Sequence, residues 1–175
     1  MHLRVCENDE TGPIVYSADL KNRKPHMLFQ AEGTDHLPAA VTFHSSSWSI
    51  DISINSYNEI ALRPTSKWRY EFAFASPALD GKNLTWKKSS RWEYLNIECV
   101  DDAGTMYAQF NMHKGLSAKK AGKMELLPPC TSAPKALVDD IVVTGLADVY
   151  LQLTQTLSAN SAAGASAGVP AAVSV

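Results

Sequence analysis

A lysine-rich stretch, HKGLSAKKAGK, gathers one histidine and four lysines around two glycines. Lysine ammonium groups attract polyanions, and backbone amides near glycines can donate hydrogen bonds to a phosphate. The stretch therefore predicts an anion site, such as one for a phosphoinositide-like lipid headgroup. The alternative is a solvated turn, which is what such charge runs usually are. The candidate residues are His113, Lys114, Lys119, Lys120 and Lys123.

A second cationic cluster consists of Lys87, Lys88 and Arg91, next to Trp86 and Trp92. We predict that it contributes to the same anion site if it borders the first cluster across a sheet. Tryptophan can anchor in a headgroup layer or stack on nucleic-acid bases, but in an antiparallel sheet it more often packs in the core or covers an edge. Both interpretations of the aromatic residues stay open at the level of sequence.

The histidines and cysteines have no spacing typical of catalysis or metal binding. The chain has no HxH, HExxH, CxxC or GxSxG motif, no Walker loop and no dinucleotide fingerprint. We therefore predict no catalytic residue, no metal and no cofactor, with a Cys–His pair assembled from distant strands as the alternative. Cys99 lies on the same face of its predicted strand as the apolar residues, so it should be buried. Cys130 follows two prolines and is expected in a linker that could expose it.

Composition narrows the class of protein further. A chain of 175 residues with 45% hydrophobic residues fits one domain, and a net charge of −2 gives no global field for nucleic acid. Three widely spaced cysteines and no apolar leader indicate a cytoplasmic protein, peripheral to a membrane if it binds headgroups. Asp139, Asp140 and Asp148 would be costly in hydrocarbon, so we expect no transmembrane segment.

About ten strand-like segments with a two-residue period precede one long helix, predicted over about 135–157. Polar residues of this helix recur at steps of three and four, which confines them to one stripe and leaves the remaining circumference apolar. Such a helix should be buried inside a curled sheet or barrel. The uncharged Ala/Ser/Gly-rich segment 158–175 is predicted to be a disordered tail. The polar stripe comprises Asp140, Thr144, Asp148, Gln152 and Gln155.

The order of these features resembles the tubby C-terminal-like or LURP-one-related domains, especially their uncharacterised fungal members. The resemblance covers most of residues 1–157 and rests on KWRYEFAFASPALDGKNLTWKKSS, RWEYLNIECVDDAGTMYAQFNMHK, KKAGKMELL and DDIVVTGLADVYLQL in that order. It implies a mainly β fold, a closed antiparallel β-barrel of about 10–12 strands enclosing a hydrophobic C-terminal helix. This chain is shorter than full-length tubby domains and has little room for the loops that bind phosphoinositides there.

The sequence thus predicts a non-enzymatic binding or scaffolding domain that recognises anionic lipid headgroups peripherally. The main alternative is a protein–protein interaction module without lipid binding, and a small-ligand-binding barrel or an enzyme are further alternatives. The expected partners are anionic membrane lipids or an unidentified protein, and no nucleic acid is expected.

Overall fold

The computed structural model describes residues 2–8, 11–32, 38–56, 58–65, 71–89, 96–112, 121–161 and 172–174. Eleven strands form one sheet in which each strand pairs antiparallel with the next along the chain. They are β1 (His2–Cys6), β2 (Ile14–Leu20), β3 (Met27–Ala31), β4 (Ala39–His44), β5 (Ser49–Ile54), β6 (Asn58–Pro64), β7 (Phe72–Ser76), β8 (Lys82–Lys88), β9 (Ile97–Asp101), β10 (Met106–Met112) and β11 (Gly122–Leu126).

The predicted closed antiparallel barrel is wrong, because the two edges of this sheet, β1 and β11, do not pair with each other. The number of strands explains why. Successive strands alternate in direction, so the first and eleventh run the same way and cannot form an antiparallel ladder. A three-residue strand, β12 (Ala172–Ser174), lies between them and runs parallel to both. The mainly β class is correct, whereas closure by antiparallel strands is not.

Two helices follow β11 in the part of the chain that the structure describes. Helix α1 (Pro128–Thr131) is a single turn, and α2 (Lys135–Ser161) has 27 residues. Every residue of α2 from Asp139 to Val149 is buried, so protein surrounds the helix on all sides over three turns. The inward phase of the strands supplies most of the apolar surface around it, including Phe29, Ile50, Leu62, Trp86 and Phe110.

Gly145 allows the sheet to approach α2 closely. A Cβ atom at this position would lie 2.6 Å from the Trp86 ring and 2.7 Å from the Met124 methyl group. A side chain at position 145 would therefore collide with the sheet. Ser132 precedes this helix, and its hydroxyl donates to the Pro128 carbonyl at 3.1 Å, so it belongs to the preceding turn.

The C-terminal segment differs in extent from the predicted tail. Helix α2 continues to Ser161, four residues beyond 157, and β12 lies within the segment that was expected to be disordered. Residues 162–171 and 175 lie outside the described residues, so the prediction for them stays a prediction. In the part of the chain that the structure describes, no helix combines enough length with enough hydrophobicity to cross a membrane.

Replacing Val142 by aspartate should unfold the domain. Val142 is fully buried, and an unpaired carboxylate there costs several kcal/mol against a total stability of about 5–15 kcal/mol. The matched control is Ala136→Asp, at an exposed position in the first turn of α2 where the helix dipole favours a negative charge. Circular dichroism melts should show loss of the transition for Val142→Asp alone. Equal melts for both variants would contradict the buried position of the helix.

Candidate functional site

The N-terminal half of the polar stripe on α2 fastens the helix to the sheet. Asp140 Oδ2 accepts hydrogen bonds from Ser76 Oγ at 2.7 Å and from the Ala78 amide at 3.3 Å. Thr144 Oγ1 accepts one from Trp86 Nε1 at 3.0 Å. Next to the stripe, Tyr16 Oη donates to Asp139 at 2.7 Å, and its burial together with this bond raises the pKa of the phenol. These polar side chains form hydrogen bonds with partners inside the fold, so their role is structural.

Further along the stripe, Asp148 is incompletely satisfied. Its side chain is 0% exposed, one carboxylate oxygen accepts from Gln152 Nε2 at 2.8 Å, and Oδ2 has no hydrogen-bond partner among the described residues. Burial raises the pKa of this carboxyl to about 7, although the positive charge of Lys88 acts in the opposite direction. Asp148 is therefore a buried acid that titrates near neutral pH.

The structure separates the two adjacent lysines of the second predicted cluster. Neighbouring residues of a strand point to opposite faces, and Lys88 shares the inward phase of β8 with Leu84 and Trp86, both of which are 0% exposed. Its partial burial lowers its pKa, and the nearby carboxylate of Asp148 raises it. Lys87 lies on the outer face, with its ammonium 3.3 Å from Glu98 Oε1. The two side chains therefore do not act together on one anion.

The remaining predicted site residues are distributed as follows. Lys123 is exposed on the outer face of β11, where it is in register with Asn111 of β10. Trp86 belongs to the core, so the core interpretation is confirmed for this tryptophan. The others lie outside the described residues: Arg91, Trp92, His113, Lys114, Lys119 and Lys120.

Alternation of strand direction assigns every connection to one of two ends of the sheet. The connections β2–β3, β4–β5, β6–β7, β8–β9 and β10–β11 all begin and finish at the same end. We call this the basic end, because the connecting segments contain nine lysines and arginines but only two glutamates. The segments are 21–26, 45–48, 65–71, 89–96 and 113–121. The cations are Lys21, Arg23, Lys24, Lys67, Arg69, Arg91, Lys114, Lys119 and Lys120, and the glutamates are Glu71 and Glu93.

The opposite connections form an acidic end. They contain seven aspartates and glutamates and no lysine or arginine. Charge is therefore strongly segregated between the two ends, although the whole chain has a net charge of only −2. The segments are 7–13, 32–38, 55–57, 77–81 and 102–105. The acids are Glu7, Asp9, Glu10, Glu32, Asp35, Asp80 and Asp102.

The connections assigned to the basic end contain members of both clusters that the sequence suggested, and they add residues that sequence reasoning missed. Lys21, Arg23 and Lys24 are exposed in the β2–β3 connection. Trp48, in the β4–β5 connection, is 48% exposed and has a left-handed backbone with a φ of 56°. The signal that could have found them is the order of turns, because cations occur in four of the five connections at one end and acids in four of the five at the other.

The cysteines are unsuited to nucleophilic chemistry. Cys6, Cys99 and Cys130 are all buried, which confirms the expectation for Cys99. Cys130 is not in a linker that exposes it, because it lies in α1 and packs against the core. Burial raises the pKa of the Cys130 thiol to about 11 and also raises that of Cys99. Among the described residues, no three or more His, Cys, Asp or Glu side chains converge to hold a metal ion.

No protein-family model, curated protein or solved structure matches this chain, so the resemblance to tubby C-terminal-like domains stays a prediction.

Replacing Asp148 by asparagine should stabilise the protein at alkaline pH. The carboxyl has a higher pKa in the folded protein than its ordinary value of 3.8, so ionisation opposes folding and wild-type stability falls as the pH rises from about 4 to about 7. Asparagine keeps an acceptor for Gln152 and carries no charge. We expect a gain of roughly 2–4 kcal/mol above pH 7 that shrinks towards zero near pH 4, measured by urea denaturation.

The matched control is Asp139→Asn, which removes a carboxylate that accepts bonds from Tyr16 and Lys135. This variant should lose stability rather than gain it. A gain for Asp148→Asn that does not change between pH 4 and 8 would refute the titration of Asp148.

Proposed function

We propose that this protein is a non-enzymatic binding domain that recognises anionic lipid headgroups at a membrane surface through its basic end. The observation that carries the proposal is the separation of charge in the connections: four of the five that begin and finish at one end of the sheet contain nine lysines and arginines, of which Lys21, Arg23 and Lys24 are described and exposed. Cations near an anionic leaflet each contribute about 1 kcal/mol of attraction, so several acting together suffice for peripheral binding.

Aromatic residues at the same end favour a lipid surface over a soluble polyanion. Three of the four tryptophans in the chain occur in the basic-end connections: Trp48, Trp68 and Trp92. Tryptophan and tyrosine partition to the headgroup layer of bilayers, where one part of the ring is apolar and another can donate a hydrogen bond. Trp48 projects enough apolar surface at its exposed hairpin to make such a contact.

The opposite charges of the two ends also predict how the domain is oriented at a membrane surface. An anionic surface attracts the basic end and repels the acidic end. The line that joins the two ends of the sheet would therefore be close to perpendicular to the membrane. Helix α2 has the matching polarity. Its N-terminal half contacts Ser76 and Ala78 beside the acidic end, and Tyr150 packs 5.6 Å from the ring of Phe43 towards the basic end. The positive end of the helix dipole thus lies towards the acidic end of the sheet and the negative end towards the basic end.

The non-enzymatic part of the proposal is supported by the buried thiols and by the hydrogen bonds that Asp139 and Asp140 of α2 accept within the fold. The polar groups at the acidic end also serve the fold: Asp101 accepts from the amides of Ala103 and Thr105 in its own turn and from Lys82. Its thiols and these carboxylates serve the fold, whereas its cations are concentrated in the connections. This arrangement fits binding better than catalysis.

Removing cations from the basic end should weaken binding to anionic vesicles. We expect Lys21→Ala/Lys24→Ala to lower the affinity for phosphatidylserine vesicles roughly tenfold or more near 0.1 M salt, since each lysine contributes about 1 kcal/mol. The matched control is Arg4→Ala/Lys87→Ala, which removes the same charge from the outer face of the sheet. Co-sedimentation with neutral, phosphatidylserine and phosphoinositide vesicles at two salt concentrations measures the effect, and Lys119→Ala/Lys120→Ala/Lys123→Ala tests the β10–β11 segment.

Equal losses in the basic-end variant and its control would contradict a site at this end. Absence of binding to every vesicle would contradict the proposal as a whole and favour the protein–protein interaction module.

A further inference from the structure

The two edges of the eleven-strand sheet face each other across the width of one strand. β12 pairs with β1 at Arg4–Ala172, Val5–Val173 and Cys6–Ser174, and with β11 at Gly122–Val173 and Lys123–Ser174. Both ladders are parallel and short. Parallel pairing is slightly weaker per residue than antiparallel pairing, and a strand of three residues is at the lower limit of strand length. The segment that occupies this position is therefore held weakly.

We propose that the gap between β1 and β11 is a binding slot for an extended acidic peptide, which adds as a parallel strand and displaces Ala172–Ser174 as an internal ligand. Addition of a strand to exposed sheet edges is a general mode of peptide recognition, in which main-chain hydrogen bonds give affinity and side-chain positions give specificity. This slot offers two edges to one peptide.

The inner face of the slot selects an aliphatic residue at its middle position. Position 173 is in register with Val5, which is 0% exposed, and with Gly122. A Cβ atom at Gly122 would lie 2.4 Å from the Phe110 ring and 2.5 Å from the Asn111 carbonyl oxygen, so only glycine fits there. Gly122 therefore contributes no side chain to this row, and the residue at position 173 of this chain is valine.

The outer face of the slot selects acidic residues on both sides of the aliphatic one. Arg4 is exposed on β1 in register with position 172, and Lys123 is exposed on β11 in register with position 174. The internal ligand has alanine and serine at these positions, so it offers no carboxylate to either cation. Opposite charges on directly paired residues stabilise a sheet. A peptide with the pattern acidic–aliphatic–acidic therefore complements the slot better than the resident segment does.

The test uses the full chain with Val173→Pro, which weakens the internal ligand because proline cannot donate to a ladder. Three fluorescent hexapeptides are titrated by anisotropy: PAAVSV, PAEVEV and PAKVKV. We expect PAEVEV to bind this variant at least about threefold more tightly than PAAVSV, and PAKVKV to bind least. The wild type should bind all three more weakly, because its own segment competes at high effective concentration.

Adding Arg4→Ala and Lys123→Ala should abolish the preference for PAEVEV. Ala165→Pro, in the preceding segment, is the control for the proline itself.

Equal affinities for the three peptides, or no binding by a folded Val173→Pro chain, would overturn the proposal. If Val173→Pro does not fold, charged substitutions at positions 172 and 174 of the otherwise unchanged chain test the proposal. Ala172→Glu/Ser174→Glu should melt at a higher temperature than wild type and Ala172→Lys/Ser174→Lys at a lower one, and equal melting temperatures would overturn the proposal in that case.

Discussion

The whole structure depends on hydrogen bonds that attach the polar stripe of α2 to the surrounding sheet. A helix enclosed on every side cannot send its polar side chains to water, and an unbonded polar group in such a site costs about 1–3 kcal/mol. The bonds of Asp140 to Ser76 and of Thr144 to Trp86 remove this cost at two successive turns of the helix. They also fix the rotation of α2, because a different rotation would place the carboxylate against apolar side chains. With this rotation fixed, the apolar side chains of α2 pack against the sheet in a single arrangement.

Much of the local structure could be predicted from the residue pattern. The two-residue period identified strands such as Ile50–Ile54 and Met106–Met112, and the broad apolar circumference of the helix indicated burial. Closure could not be predicted, because it depends on whether the number of strands is odd or even. The pattern gave about ten strands, whereas the eleventh makes the two edges run in the same direction. The family resemblance led to the same error, since the closed barrel of about 10–12 strands that it implied allowed both odd and even strand numbers.

The candidate site was predictable in part for a related reason. A cluster in sequence is a cluster in space only if the backbone turns its members to the same side. Lys87 and Lys88 are adjacent but lie on opposite faces of β8, and one of them approaches the buried Asp148. Lys21 and Lys120 are far apart in sequence, yet their connections belong to the same end of the sheet. The basic end is thus a property of topology, and counting charges within a window of sequence cannot detect it.

The alternation of connections between two ends limits how this fold can change in evolution. Inserting or deleting a single strand would send every later connection to the opposite end and mix cations with acids along each rim. Inserting or deleting a complete hairpin would leave the direction of all later strands unchanged, and the polarity of the domain would survive. Gains and losses of sequence that preserve the charge distribution should therefore come in units of two strands, and changes in loop length should be tolerated far more readily than changes in strand number.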